Sequence, residues 1–212
     1  MEIKKLLSKP AVYGVIADVN QGKSMLLYHL IEETLKIGTM SLYYYGLRID
    51  VEPNRLLKSQ RIYTTAELEN IRDSLIIVDE LSSLFDLDNR KTRKNIENTL
   101  RLINHNNNIL ILCGTPENFK KFLSAKLNKV FFKKTSIQDA INGSTIKNML
   151  MNYKGYERGS ELLNLRIDQA LFFDGKHYSM LEIPYYKQYD SKKDNVSIIQ
   201  PSNIQGRKKP TK

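Results

Sequence analysis

Tryptophan is absent from the 212 residues, cysteine occurs once and histidine three times. With Cys113 alone, no intramolecular disulfide can form, and one thiol with three imidazoles does not make a zinc framework. Long apolar runs are missing too. Leu75–Val78 and Ile109–Cys113 stand out, yet both fall far below the roughly 18 residues a membrane-spanning helix needs. Stable membrane insertion is therefore not expected. The first residues, Met1 to Pro10, carry no apolar core or small-residue cleavage site, so a secretory signal is not expected either. The expectation is a soluble intracellular chain.

What is present is an ordinary globular balance, 41% apolar and 26% charged, with a basic surplus. The formal net charge is +10. Such a surplus favours polyanionic partners, nucleic acid first, through release of condensed counterions. A uniformly solvated surface would account for it equally well.

Along the chain, apolar strand-like runs alternate with helical stretches. Ala11–Ala17 reads as a strand, then a loop, then a helix from Ser24 to about Ile37 closed by Gly38. Met40–Tyr45 is a second strand, residues 47–57 are irregular, and Thr65 can cap a short helix over Ala66–Ile71. Leu75–Val78 and Ile109–Cys113 are continuous apolar runs, the mark of strands buried on both faces of a parallel sheet. Thr92–His105 carries Ile96, Leu100 and Ile103 at helical spacing. Glu117–Leu127 reads as helix and Lys129–Phe132 as strand. The alternation predicts an α/β fold with a central, mainly parallel sheet flanked by helices. Further on, Lys147–Tyr153, Ala170–Phe173 and Tyr178–Ile183, with turns at Gly155, Gly159 and Asp174-Gly175, read as short strands or a β-hairpin. The expected organisation is one domain over residues 1–187, with a core at about 11–141 and a β-rich extension at about 142–187. Residues 188–212 are expected to be a basic, flexible tail.

The segment Ala17, Asp18, Val19, Asn20, Gln21, Gly22, Lys23, Ser24, Met25 follows a predicted strand and opens a predicted helix. Its Gly22-Lys23-Ser24 is the second half of G-x-x-x-x-G-K-[ST], with Ala17 where the first glycine usually stands. In that setting loop and helix amides cradle a phosphate, because they lack intrahelical partners and the helix dipole is positive there. Lys23 would reach the β- and γ-phosphates, and the Ser24 hydroxyl would hold Mg2+. Gly-Lys-Ser is common by itself, so context carries the weight. The context is completed by Leu75–Val78 running into Asp79 and Glu80: Asp79 is a candidate Mg2+ ligand, usually through water, and Glu80 the candidate that polarises an attacking water. In open α/β sheets ligands gather at the carboxyl ends of strands, so the two motifs should converge. Thr115, after the strand Ile109–Cys113, is a candidate γ-phosphate sensor, or simply a turn that closes the strand. Arg101 is the first candidate for an arginine finger reaching a neighbouring subunit's nucleotide, with Arg90 and Arg93 as alternatives to it. The same arginines would serve as a solvated helix face.

With these residues in view, the chain resembles the additional-strand, catalytic-glutamate P-loop ATPases, and within them the FtsK/HerA-type motors that package viral or phage DNA. The resemblance is carried by Ala17–Ser24, Leu75–Glu80, the helix ending Arg101 to His105 with three asparagines after it, Ile109–Pro116, and the hairpin region Leu171–Lys187. Gly114-Thr115-Pro116 stands where the family commonly has Thr-Gln. The resemblance implies ATP and Mg2+ as cofactors. It also implies hydrolysis coupled to translocation of double-stranded DNA by a homomeric ring, a pentamer or hexamer, with a capsid or portal component as a further partner and the host cytoplasm or virion as location. The lysine pairs Lys120-Lys121, Lys133-Lys134 and Lys192-Lys193 are candidates to face DNA phosphates, or ordinary solvated ends. A helicase loader or assembly ATPase, a P-loop kinase and a non-hydrolysing nucleotide-binding module are the alternatives.

Overall fold

In the computed structural model, the residues described are 7, 9–36, 40–47, 59–85, 89–119, 123, 126, 127, 129–135 and 162–184. Eight strands form one sheet: β1 (Ala11–Ile16), β2 (Ser41–Tyr45), β3 (Ser59–Arg61), β4 (Ser74–Val78), β5 (Ile109–Gly114), β6 (Lys129–Phe132), β7 (Gln169–Phe173) and β8 (Tyr178–Glu182). Their spatial order is β3-β2-β4-β5-β1-β6-β7-β8. Pairing is parallel from β3 through β6 and antiparallel for β6–β7 and β7–β8. The α/β sheet read from the sequence is present. The helices include α1 (Lys23–Leu35), α2 (Leu81–Leu84) and α3 (Arg90–His105).

Every residue of β1, β4 and β5 is buried, as the unbroken apolar runs require of strands covered on both faces. Strand alternation divides the core. From β1, Val12 and Ile16 join Ile96, Leu100 and Ile103 of α3, whereas Ala11, Tyr13 and Val15 join Leu26, Leu27 and Leu30 of α1.

Three consecutive asparagines fix the turn from α3 into β5. Asn108, fully buried, donates from Nδ2 to the Ile71 carbonyl (2.7 Å) and accepts the Ser74 N–H on Oδ1 (3.0 Å). Asn106 donates to the Glu69 carbonyl (3.0 Å) and accepts from Arg72 Nη1 (2.6 Å). These bonds tie β4 and β5 together at their amino ends, which sets the level at which both strands emerge at the other end. Asn108→Leu is expected to lower stability by about 3 kcal/mol, because it strands a buried donor and a buried acceptor at once. Denaturant melts of the variant check this; a loss below about 1 kcal/mol would show that the turn repacks.

The structure departs from the sequence expectations in several places. The helix expected at Ala66–Ile71 is a 3-10 turn, Thr65–Glu69, and its cap is Thr64 rather than Thr65. One Glu67 carboxylate oxygen collects the Tyr63 N–H (3.2 Å), the Thr64 N–H (2.9 Å) and the Thr64 hydroxyl (2.9 Å), which starts the turn a residue earlier. Strand β3 was not expected: Ser59-Gln60-Arg61 has no apolar residue, and an edge strand is held by backbone pairing that leaves no pattern in sequence. Of the stretch expected to be helical from Glu117, Pro116–Asn118 form a 3-10 turn and most of the remainder lies outside the described residues. Residues 147–153 and the tail 188–212 also lie outside them. The hairpin is present, its turn held by Asp174 Oδ1 accepting the Lys176 and His177 N–H groups (2.8 and 2.7 Å). It is not a separate appendage, for it continues the main sheet through β6.

Candidate functional site

Strand register decides what meets at the carboxyl edge of the sheet. Val15 is paired with Cys113 and Ile16 with Gly114, while Val78 is paired with Leu112. Asp79 therefore emerges level with Cys113, with β5 interposed between it and the start of the loop. Two strand spacings put these elements about 10 Å apart, room for a phosphate group and a hydrated ion.

Residues 17–22 carry the chain from β1 into α1. The Ala17 N–H donates to the Gly114 carbonyl (3.2 Å) and the Asp18 N–H to the Lys134 carbonyl (3.3 Å), so both neighbouring strands anchor the loop. The left-handed positions of the loop are Asn20 (φ 61°) and Gly22 (φ 77°). Asparagine tolerates that region, and glycine occupies it freely. A β-carbon on Gly22 would also lie 3.0 Å from the Ile167 carbonyl oxygen. Ala17, buried and without positive φ, needs no glycine. Ala17→Gly is expected to leave nucleotide affinity unchanged and to cost about 1 kcal/mol of stability through added backbone freedom. A thermal melt beside a binding titration checks both parts.

Lys23 opens α1, and its ammonium donates to the loop carbonyls of Ala17 (3.1 Å) and Asp18 (2.8 Å). The side chain thus arches over its own loop. Ser24 is exposed on the first turn, and Val19 at the loop tip is exposed as well. Met25 differs from the other loop candidates, since its side chain is buried in the core on the α1 face. Only its backbone N–H is left to face a ligand.

Across β5, Asp79 is half-buried, and its N–H is fixed to the Tyr45 carbonyl (2.9 Å). Burial raises its carboxyl above the usual carboxylate range; hydrogen bonding from the Cys113 thiol and the Glu80 N–H (3.1 Å) and the charge of Lys23 pull it back. Lys23 and Asp79 are thus electrostatic neighbours. Gly46, at the end of β2 with φ 74°, completes this corner: a β-carbon there would stand 2.4 Å from the Asp79 carbonyl oxygen. Glu80 is exposed and held in the left-handed region at φ 58°, ψ 63°, where it caps α2. A non-glycine residue there stores strain, and such outliers gather at functional sites. The Tyr45 hydroxyl braces α2 by donating to the Ser83 carbonyl (3.1 Å).

Glycine-lysine loop, Asp79 and Glu80 are therefore brought to one edge. Thr115 lies at that edge as well, half-buried, its carbonyl accepting the Asn118 N–H (3.0 Å). Cys113, missed in the sequence because a lone cysteine in an apolar strand reads as core, is the β5 residue that faces Asp79. Arg101 is not brought there. It is exposed and lines a cleft with Val12, near the other end of β1, about 16 Å of strand from the loop. Arg93 is exposed on α3, and the Arg90 side chain lies outside the described residues. Lys133 corrects an expectation: it is fully buried and cannot face DNA, whereas Lys134 is exposed. Lys120, Lys121, Lys192 and Lys193 lie outside the described residues.

As a cofactor set, Ser24 and Asp79 are hard oxygen donors of the kind Mg2+ prefers. The described residues hold no cluster of three or more His, Cys, Asp or Glu. Any ion here would draw the rest of its shell from phosphate and water. No helix among the described residues is long and apolar enough to cross a membrane.

No protein-family model matches the sequence, and no curated protein is similar to it. Solved structures are similar. The DNA-packaging ATPase B204 of Sulfolobus turreted icosahedral virus superposes with a TM-score of 0.63 at 14% identity, over 84% of this chain and 100% of that one. The genome-packaging NTPase B204 of Sulfolobus turreted icosahedral virus 2, in complex with ATP-gammaS, gives 0.59 at 15% identity over 82% and 98%. VirB4 of Thermoanaerobacter pseudethanolicus gives 0.60 at 10% identity over 84% and 90%. At such identities the likeness is one of fold: this chain shares the α/β architecture of those solved structures, a mostly parallel sheet flanked by helices.

Proposed function

We propose that this chain is an ATP-hydrolysing motor that translocates double-stranded DNA, working as a homomeric ring in viral or phage genome packaging. The observation that carries the hydrolytic part is the convergence of Lys23, Asp79 and Glu80 at one edge of the sheet, with β5 between their strands. Lys23 would exchange the Ala17 and Asp18 carbonyls for β- and γ-phosphate oxygens. Ser24 and Asp79 would hold Mg2+, which neutralises charge on the transferred phosphoryl group. Glu80, aimed outward by its own backbone, would orient and deprotonate the attacking water. Thr115 would contact the γ-phosphate side of the site and register its loss.

The packaging part is supported by the likeness to the B204 proteins, which this chain covers nearly end to end, and by the +10 charge. Arg101, remote from its own loop, suits a role at a neighbour's nucleotide, which only a ring would provide. Mixing Arg101→Ala subunits with Glu80→Gln subunits should then recover part of the ATPase activity, because some interfaces regain both groups. Absence of recovery counts against Arg101. The deciding measurement is ATP hydrolysis with and without linear duplex DNA: stimulation of several-fold is expected. Unstimulated hydrolysis would remove the DNA motor and favour an assembly or loading ATPase; phosphate transfer to a nucleoside monophosphate would favour a kinase.

A further inference from the structure

Lys133 follows β6 directly, and its N–H donates to the Ile16 carbonyl (2.9 Å), the last residue of β1 before the loop. Its side chain is fully buried and turns under that loop. The ammonium donates to the Ile167 carbonyl at 2.5 Å and lies 3.4 Å from where a β-carbon on Gly22 would be. That same carbon would meet Ile167 Cγ1 at 3.0 Å. Three segments separate in sequence thus meet at one cation: the end of β6, the glycine of the loop, and the turn before β7. The turn is itself firmly built. Arg166 clamps Asp168 in two parallel bonds (2.9 and 3.0 Å), and the Asp168 carbonyl accepts the Ile183 N–H (2.7 Å).

A buried ammonium is a costly choice for structure alone, since an apolar residue of similar length would fill the space without the desolvation penalty. Burial lowers the Lys133 ammonium to about 8 while Asp168 pulls it upward, so it is still charged at neutral pH. A positive charge directly beneath a loop that gathers anionic oxygens has an evident use.

We propose that Lys133 is a positioning residue of the phosphate loop: it pins the Arg166–Asp168 turn against Gly22, and so holds the loop amides in their phosphate-facing arrangement while adding positive potential from behind. This rests on reading residues 17–24 as a nucleotide site. The test is Lys133→Met in the full chain, with ADP binding measured by calorimetry and steady-state ATP hydrolysis beside a thermal melt. The expected result is a Kd for ADP about tenfold weaker and a KM for ATP raised by a similar factor with a smaller change in kcat, the melt showing that the variant is folded. A residue that served folding alone would lower the active fraction, and with it kcat, while leaving KM where it was. Folded variant protein that binds ADP within twofold of the parent overturns the proposal. If Lys133→Met does not fold, Lys133→Gln tests it with a polar side chain one atom shorter and uncharged, which neither holds the Ile167 carbonyl as the ammonium does nor adds positive potential: a several-fold loss of ADP affinity is expected, and an unchanged Kd overturns it. If the unaltered chain binds no ADP, the nucleotide site itself fails and this proposal with it; if it binds and both variants bind equally, only the role of Lys133 fails.

Discussion

Glu80→Gln is expected to cut ATP turnover by about a thousandfold, within the span that general-base groups contribute, while ATP stays bound. The amide keeps the size and planarity of the carboxylate but cannot accept a proton. It also leaves the backbone alone, which matters at this position: residue 80 sits at φ 58°, ψ 63°, its N–H on Asp79 Oδ1 and its carbonyl accepting the Ser83 N–H (2.8 Å). Under the proposed function, side chain and main chain have separate duties, one toward the attacking water and one in bonding Asp79 and opening α2. A companion variant separates them. Glu80→Gly would relieve the left-handed strain and raise stability by about 1 kcal/mol, yet be as inactive as the glutamine. Single-turnover hydrolysis with a parallel filter-binding assay reads both variants. A glutamine variant that retains a tenth or more of the parent rate would remove Glu80 from the chemistry.

For Lys23→Ala the expected loss is in binding. The ammonium already stands over the loop, held by two carbonyls at 3.1 and 2.8 Å, so its exchange onto phosphate oxygens replaces neutral acceptors by charged ones. Hydrogen bonds to charged groups contribute about 1.5–3 kcal/mol each, and two of them correspond to at least about a hundredfold in Kd for ATP. The loss has a second consequence. Lys23 is one of the influences that hold the Asp79 carboxyl down against its burial, so removing it lets that carboxyl rise further and changes the charge that Mg2+ would meet at this corner. Calorimetric titration with ATP, with and without Mg2+, measures both; an unchanged Kd would remove the phosphate-loop assignment.

The sequence was most legible where chemistry and periodicity coincide. Unbroken apolar runs at Leu75–Val78 and Ile109–Cys113 could be buried only between two layers, and Gly22-Lys23-Ser24 between strand and helix announced its loop. Where residues lacked such marks, expectation failed. Ser59-Gln60-Arg61 pairs through backbone alone and shows no pattern. Lys133 belongs to a lysine pair that reads as surface, and nothing local reveals that its ammonium is covered by a turn more than thirty residues later.

By itself, the order of residues determined the α/β alternation, the Gly22-Lys23-Ser24 loop between strand and helix and the acidic pair at a strand end, because each depends on near neighbours along the chain: strand periodicity, helix dipole, turn geometry. The folded sheet alone decided how these parts stand to one another. Register across β4, β5 and β1 set Asp79 level with Cys113 and opposite the loop, sent Arg101 to the far end of β1, and drew Ile167 over Lys133. Those relations come from pairings between distant segments, whose backbone hydrogen bonds carry no residue code, and so they exist only once the sheet has closed.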